Sequence, residues 1–274
     1  MLILIGPSFE ASAPAVQRLA QLTGLVAYDL KTKLRPGSWG VVKLLADVEK
    51  AGDLTARLQA EGFPAVLVEA DVAFDQGRRI VAVDRIALAD EQLELELRGQ
   101  TMLVPLKGLL TIVQGEAIVR SDRSVTAPAS SNTFRAVVPT TQDLQAFRET
   151  QTASSYDSFH VADLHFATVL WVARLDARRT DFTPLGIETG SPLQKLEQAV
   201  AEITKLASVR VDRGVRTSSL ASFATRPTPM RSTSPTPGAP ISPRDLKPPP
   251  SDPHFDGYSR LVAQAERTAR GLTA

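Results

Sequence analysis

The chain is 274 residues long, room for one large domain or two small ones with a core each. Its 31 basic and 30 acidic side chains nearly cancel, which removes the clustered positive excess that binding to a phosphate backbone needs, so nucleic acid is not an expected partner. It has no cysteine, and this excludes disulfide scaffolds, thiolate zinc sites, iron–sulfur clusters and cysteine nucleophiles together.

The opening alternates as a βαβ unit does. Leu2–Ile5 is a short apolar run, too short for a signal-peptide core or a membrane span, and a cytoplasmic location without membrane contact is the expectation. Gly6 begins something like a phosphate-binding loop, but Ala11, Ser12 and Ala13 stand where that loop needs a glycine, a lysine and a hydroxyl. Gly6-Pro7-Ser8 therefore reads as a plain strand-to-helix turn. Ser12 and Pro14 start a helix with Val16, Leu19, Ala20 and Thr23 on one face, and Gly24 stops it. Trp39–Leu45 reads as a second strand, and Asp47 caps a helix with a Val48, Ala51, Leu54, Thr55, Leu58 stripe. Pro64–Val68 reads as a third strand. Helical crossovers of this length predict mostly parallel pairing.

From Arg78 the helical period gives way to strands. Ile80–Leu88 is strand-like, and Leu93, Leu95 and Leu97 alternate with Glu94, Glu96 and Arg98, as in an antiparallel strand with one wet face. Met102–Val104 and Leu109–Val113 continue the meander. Ser121–Ser131 reads as a connector. A second block over Leu144–Val211 carries a strand at Thr168–Leu175 and a helix opened by Ser191-Pro192 with Gln194 at the capping-box position. Ten of the 19 prolines lie between Pro227 and Pro253, which predicts a disordered tether. From Phe255 an amphipathic helix follows, with Phe255, Tyr258, Leu261, Val262 and Ala265 on one face.

The expected fold class is α/β (α+β): a small βαβ-type unit, an antiparallel β layer, a second small α+β block, a disordered proline-rich tether and a C-terminal amphipathic helix. The boundaries are an N-terminal domain over 1–122, a linker over 123–143, a second block over 144–212 that either packs with the first or stands apart, the tether over 213–254 and the helix over 255–274.

Few residues point to chemistry. His160, Asp163 and His165 form the one His/Asp cluster and the candidate metal or general-base site. On a strand, however, Asp163 and His165 share a face that His160 does not. The bland alternative is a His–Asp hydrogen bond that orders the next strand. Arg210, Arg213 and Arg216, three apart, are an anion-binding candidate set against a solvated linker start. Asp176 and Asp181 flank Arg178-Arg179 in a tight loop. The tether carries Thr228-Pro229, Ser234-Pro235, Thr236-Pro237 and Ser242-Pro243, candidates for proline-directed phosphorylation, and a PxxP-plus-Arg run from Pro240 to Arg244. The final helix is the strongest signal, able to dock on its own body or on a partner.

The sequence thus favours a non-enzymatic protein-interaction, regulatory or adaptor protein with a protein partner and no cofactor. The alternative is a small-ligand- or metal-binding enzyme or sensor centred on His160, Asp163 and His165.

Overall fold

A computed structural model describes residues 1–75, 77–125, 151–169, 171–224 and 252–272. The mixed α/β class expected from the sequence is the class found. Ser12 caps α1 (Ala13–Thr23) by accepting from the Ala15 amide, and Gly24 closes it in the left-handed region at φ 69°. β1 (Leu2–Ile5) and β3 (Ala65–Val68) flank this region in sequence, and α3 (Val48–Ala60) starts at Asp47 as its carboxylate requires. Between α1 and β2 (Gly40–Leu44) a second helix intervenes, α2 (Ala27–Lys33).

That extra helix corrects the expected strand direction. Two helices in succession return the chain to the end of the sheet where β1 finished, so β2 runs antiparallel to β1. The single crossover α3 then leaves β3 antiparallel to β1 as well, in the order β2-β1-β3. Ile3, Ile5, Val42 and Ala65 face α1–α3 in one core, closed by Val16, Leu19, Leu30, Ala51 and Leu58. The opposite face, with Leu2, Leu4, Val66 and Val68, is buried too.

The run expected as one strand from Ile80 to Leu88 changes sheet partway. β4 (Ile80–Ala82) pairs parallel with β10 (Val172–Asp176). Val83 still donates to the Arg174 carbonyl, whereas the next amide, Asp84, donates to Glu96 of the following sheet. There β5 (Arg85–Ala89), β6 (Gln92–Leu97) and β7 (Gln100–Pro105) form an antiparallel meander. Its two-residue turns put Asp90 and Glu91, then Arg98 and Gly99, at positive φ.

β8 (Leu109–Val125) is far longer than the Leu109–Val113 expected. β9 (Gln151–Phe166) was not foreseen as a strand. β8 to β11 and β4 form a five-stranded sheet in the order β11-β8-β9-β10-β4, with β11 at Val211–Asp212. This sheet takes strands from both expected folded blocks, so the two pack together, the arrangement the sequence had left open. The compact units are Met1–Ala117 with Phe159–Ala274, and Ile118–Ser158. In the first unit, one face of the sheet (Ile112, Ala162, Leu164, Ala173, Leu175) packs with α4 (Pro192–Ala207) and with Ile86, Leu93 and Leu95 of the meander. α4 begins with the full capping box of Ser191 and Gln194.

The expected tether also starts too early. Residues 213–224 make two 3₁₀ turns, Gly214–Arg216 and Ser219–Phe223, with Val215, Leu220 and Ala224 buried. Residues 225–251, with all the Ser/Thr-Pro and PxxP motifs, and residues 126–143 of the expected linker lie outside the described residues.

The last helix, α5 (Pro253–Ala269), carries the largest correction. It packs along β3 and the 3₁₀ turn Ala70–Phe74, and its side chains also reach β9, β10 and β11. Phe255, Tyr258, Leu261, Val262 and Ala265 are all 0 % exposed, and Asp256, Ser259, Glu266 and Arg267 on its polar side are buried as well. Far from lying on a surface, α5 is buried on nearly every side. Gly257 permits one close approach: a Cβ there would stand 2.5 Å from the Ala224 carbonyl oxygen. His254, which the sequence placed in the tether, lies in the first turn of α5, with Nε2 3.1 Å from the Ala221 carbonyl.

Candidate functional site

The polar residues of β9 and β10 meet α5 in one buried network. Because β9 is extended, Asp163 and His165 point to the face opposite Ala162 and Leu164, toward α5. Arg174, one strand over, is paired with Asp163 in the antiparallel register. Its Nε and Nη2 donate to the two Asp163 oxygens at 2.7 and 2.9 Å, and Nη2 donates also to Asp256 of α5 at 2.7 Å. The guanidinium lies over the Phe255 ring, 5.1 Å from its centroid. Ser259 of α5 donates to Asp163 at 2.8 Å, and His165 Nε2 lies 2.7 Å from the Ser259 oxygen.

The directions of these bonds settle what the cluster can do. Ser259 has one proton and gives it to Asp163, so its contact with His165 requires a proton on Nε2 that points at the serine. In this arrangement the imidazole donates to Ser259, the reverse of the direction a serine nucleophile and its base require. Burial drives the His165 pKa down to about 4 against the pull of Asp163, helped by the charges of Arg78, Arg174 and Arg260. Burial alone would push Asp163 up, but the Arg174 charge and hydrogen bonds, with His165 and Ser259, hold its carboxyl below the usual range. Arg174 is likewise opposed by burial and held firmly protonated by Asp163 and Asp256.

The metal reading fails on the same geometry. His160 belongs to the other face of β9, and the place a cation would take beside Asp163 holds Arg174. Among the described residues no group of three or more His, Asp or Glu could hold a metal ion. In place of the direct His–Asp hydrogen bond of the bland alternative, Ser259 of α5 bridges His165 and Asp163.

A second network anchors the other side of α5. Tyr258 donates to Asp212 at 2.6 Å, and the same carboxylate oxygen accepts the Gly214 amide at 2.8 Å. Burial first, then Asp212, raises the Tyr258 pKa, so the phenol stays neutral. Glu266 accepts from Trp39 Nε1 at 3.0 Å and from Arg210 at 2.6 Å. The arginine candidates are therefore not a free stripe. Arg210 also pairs with Asp212 at 3.1 Å, Arg213 donates to Gln114 and Arg216 pairs with Glu116 at 2.6 Å. Their segment is β11 followed by a 3₁₀ turn instead of extended linker, and each of the three side chains is engaged by acceptors of the protein itself.

The Asp176–Asp181 loop bonds within itself and to the β4–β5 corner, where Thr180 donates to the Val83 carbonyl and the Asp181 amide to the Asp84 carbonyl, both at 2.8 Å. Asp176 accepts from the Arg178 amide, the Thr180 hydroxyl accepts from the Asp176 amide, and Arg178 covers the Phe159 ring. A cavity of about 10 Å³, room for one water, is lined here by Asp84, Arg174, Asp176 and Arg179. Arg174 Nη1 is a buried donor with no protein acceptor.

Sequence reasoning missed Arg174, Ser259, Asp256 and Asp212 as a set. Their partners are 11 to 96 residues apart, so no local spacing signals them. The one available hint was a lone arginine closing an apolar run at Val172–Ala173, a position that needs a buried acid elsewhere.

Among the described residues no helix is long and apolar enough to cross a membrane. The chain matches no family model, no curated protein and no solved structure.

Proposed function

We propose that this is a non-enzymatic regulatory or adaptor protein in which α5 acts as a latch. Docked on its own body, the helix is masked; lifted, it presents Phe255, Tyr258, Leu261, Val262 and Ala265 to a protein partner. A cytoplasmic setting goes with this reading.

The observation that supports it is that two apolar cores of the body contain no residue of α5. One lies between β1–β3 and α1–α3, the other between the five-stranded sheet, the meander and α4. Lifting the helix leaves these two cores in place and uncovers the other face of the first sheet, where Leu2, Leu4, Val66 and Val68 are buried. The contacts that hold α5 suit reversible docking. Its ion pairs, buried with Arg174 and part-buried with Arg210, carry desolvation costs that offset much of their attraction, but they demand one register. Chain continuity through 225–251 supplies the effective concentration that keeps the helix docked.

The cysteine-free chain makes the test simple. Thiol labelling under native conditions is compared for Ala265→Cys on α5, Ala51→Cys in the first core and Ala199→Cys in the second, all 0 % exposed. The latch predicts labelling on α5 at least about tenfold faster than in either core, because helix opening costs less than global unfolding. Equal rates at all three positions would make α5 an ordinary core helix and end the proposal.

A further inference from the structure

Beside the C-terminal half of α5 lies a narrow cleft lined by Arg78, His165, Trp171, Ala263 and Arg267, among others. Its charge is lopsided. Arg267 is 7 % exposed, yet both of its terminal nitrogens donate to a neutral acceptor, the Ala167 carbonyl, at 2.8 and 2.7 Å. Arg78 donates to Gln264 at 2.8 Å, and its nearest acid is the half-exposed Asp75 at 4.0 Å. Arg260, one turn before Gln264, donates to the Ala73 carbonyl and keeps a buried Nε without an acceptor. After burial itself, the charges of Arg267 and Arg260 lower the Arg78 pKa, with Asp75 opposing. The buried acids Asp163 and Asp256 are both bonded to Arg174, and Glu266 is bonded to Trp39 and Arg210. Guanidinium groups gathered out of water without carboxylates are costly unless an anion joins them.

We propose that this cleft binds an oxyanion, the phosphate or carboxylate group of a small solute, between the guanidinium groups of Arg78 and Arg267. The guanidinium fork matches oxyanion geometry, which a lysine ammonium would not. The cavity, about 10 Å³, admits one oxygen-sized atom, so the group enters by one oxygen and the rest of the solute stays outside. The His165 imidazole, neutral at ordinary pH, adds no competing charge. The site is formed while α5 is docked, because Arg267 and Ala263 lie on that helix, and it does not rest on the latch reading.

The test is calorimetric titration and thermal shift of the full chain with inorganic phosphate, acetate and chloride in turn, at constant ionic strength. Arg78→Gln is the variant, and Arg57→Gln, an exposed arginine on α3, is the control for lost charge. Saturable binding of phosphate or acetate is expected in the natural chain and in Arg57→Gln, and about tenfold weaker in Arg78→Gln, the equivalent of one charge-assisted hydrogen bond. Whichever of the two binds tighter identifies the class of group. If Arg78→Gln does not fold, Arg78→Lys keeps the charge, loses the fork and should weaken binding in the same direction. Chloride binding as well as either oxyanion, or equal affinity in the variant and control, overturns the proposal, as does no binding by the natural chain.

Discussion

Replacing Tyr258 with phenylalanine removes one oxygen atom and tests whether α5 is seated as described. That oxygen donates at 2.6 Å to Asp212, a carboxylate that is 0 % exposed. Asp212 keeps the Gly214 amide and one bond from Arg210, so the variant loses one donor of three and leaves no wholly unpaired charge. A hydrogen bond to a buried charged group is worth about 1.5–3 kcal/mol. The ring itself stays in place, and the gap left by the oxygen is too small for a water to refill, so no large cavity cost is added. The expected loss for Tyr258→Phe is therefore about 2 kcal/mol, read as a lower urea midpoint by circular dichroism with an unchanged slope. A loss under about 0.5 kcal/mol would be that of a surface tyrosine and would refute the docking of α5 on β11.

Gly257→Ala raises intrinsic helix propensity by about 1 kcal/mol, but its methyl meets the Ala224 carbonyl at 2.5 Å. A lower melting temperature and faster proteolysis within 252–272 are expected; a more stable variant would contradict the close approach. Arg174→Met removes the cation paired with buried Asp163 and Asp256 and should cost about 3–5 kcal/mol in urea titrations, against near-neutrality if the pairs were exposed. His165 has a folded pKa of about 4, below its unfolded value near 6.5, so the unfolded chain binds more protons between these values. Stability should therefore fall with pH across this window, by about 2.5 kcal/mol from about pH 7.5 to about pH 4.5 for this group alone. Asp163, whose pKa is depressed, gives up its own contribution only at lower pH. His165→Gln should flatten that slope in urea titrations at a series of pH values; an unchanged slope would place the titration elsewhere.

What the sequence made legible were the elements whose signals are local. Ser12, Asp47 and the Ser191–Gln194 pair cap helices at the positions read from the chain, and the Leu93–Leu97 alternation became β6. α2 gave no such signal, with no side-chain cap and Leu30 its one buried residue, and missing it reversed the expected direction of β2. β9 was hidden because all six residues from Val161 to Phe166 are buried, polar Asp163 and His165 included, so no wet-and-dry alternation survives. The separation of His160 from Asp163 and His165 followed from strand parity alone. The apolar face of α5 was legible, but the burial of its other side was not. Asp256, Tyr258 and Glu266 meet partners 46 to 227 residues away, and an acid or hydroxyl on a helix looks solvent-facing until its partner is placed.

The measurement that bears most directly on the latch is native-state hydrogen exchange of the unmodified full chain, resolved by peptide. The account predicts that amides of 252–272 exchange through an opening that leaves β1–β3 and β8–β10 protected. Exchange of α5 only together with those strands, with one common free energy and one common denaturant dependence, would contradict it.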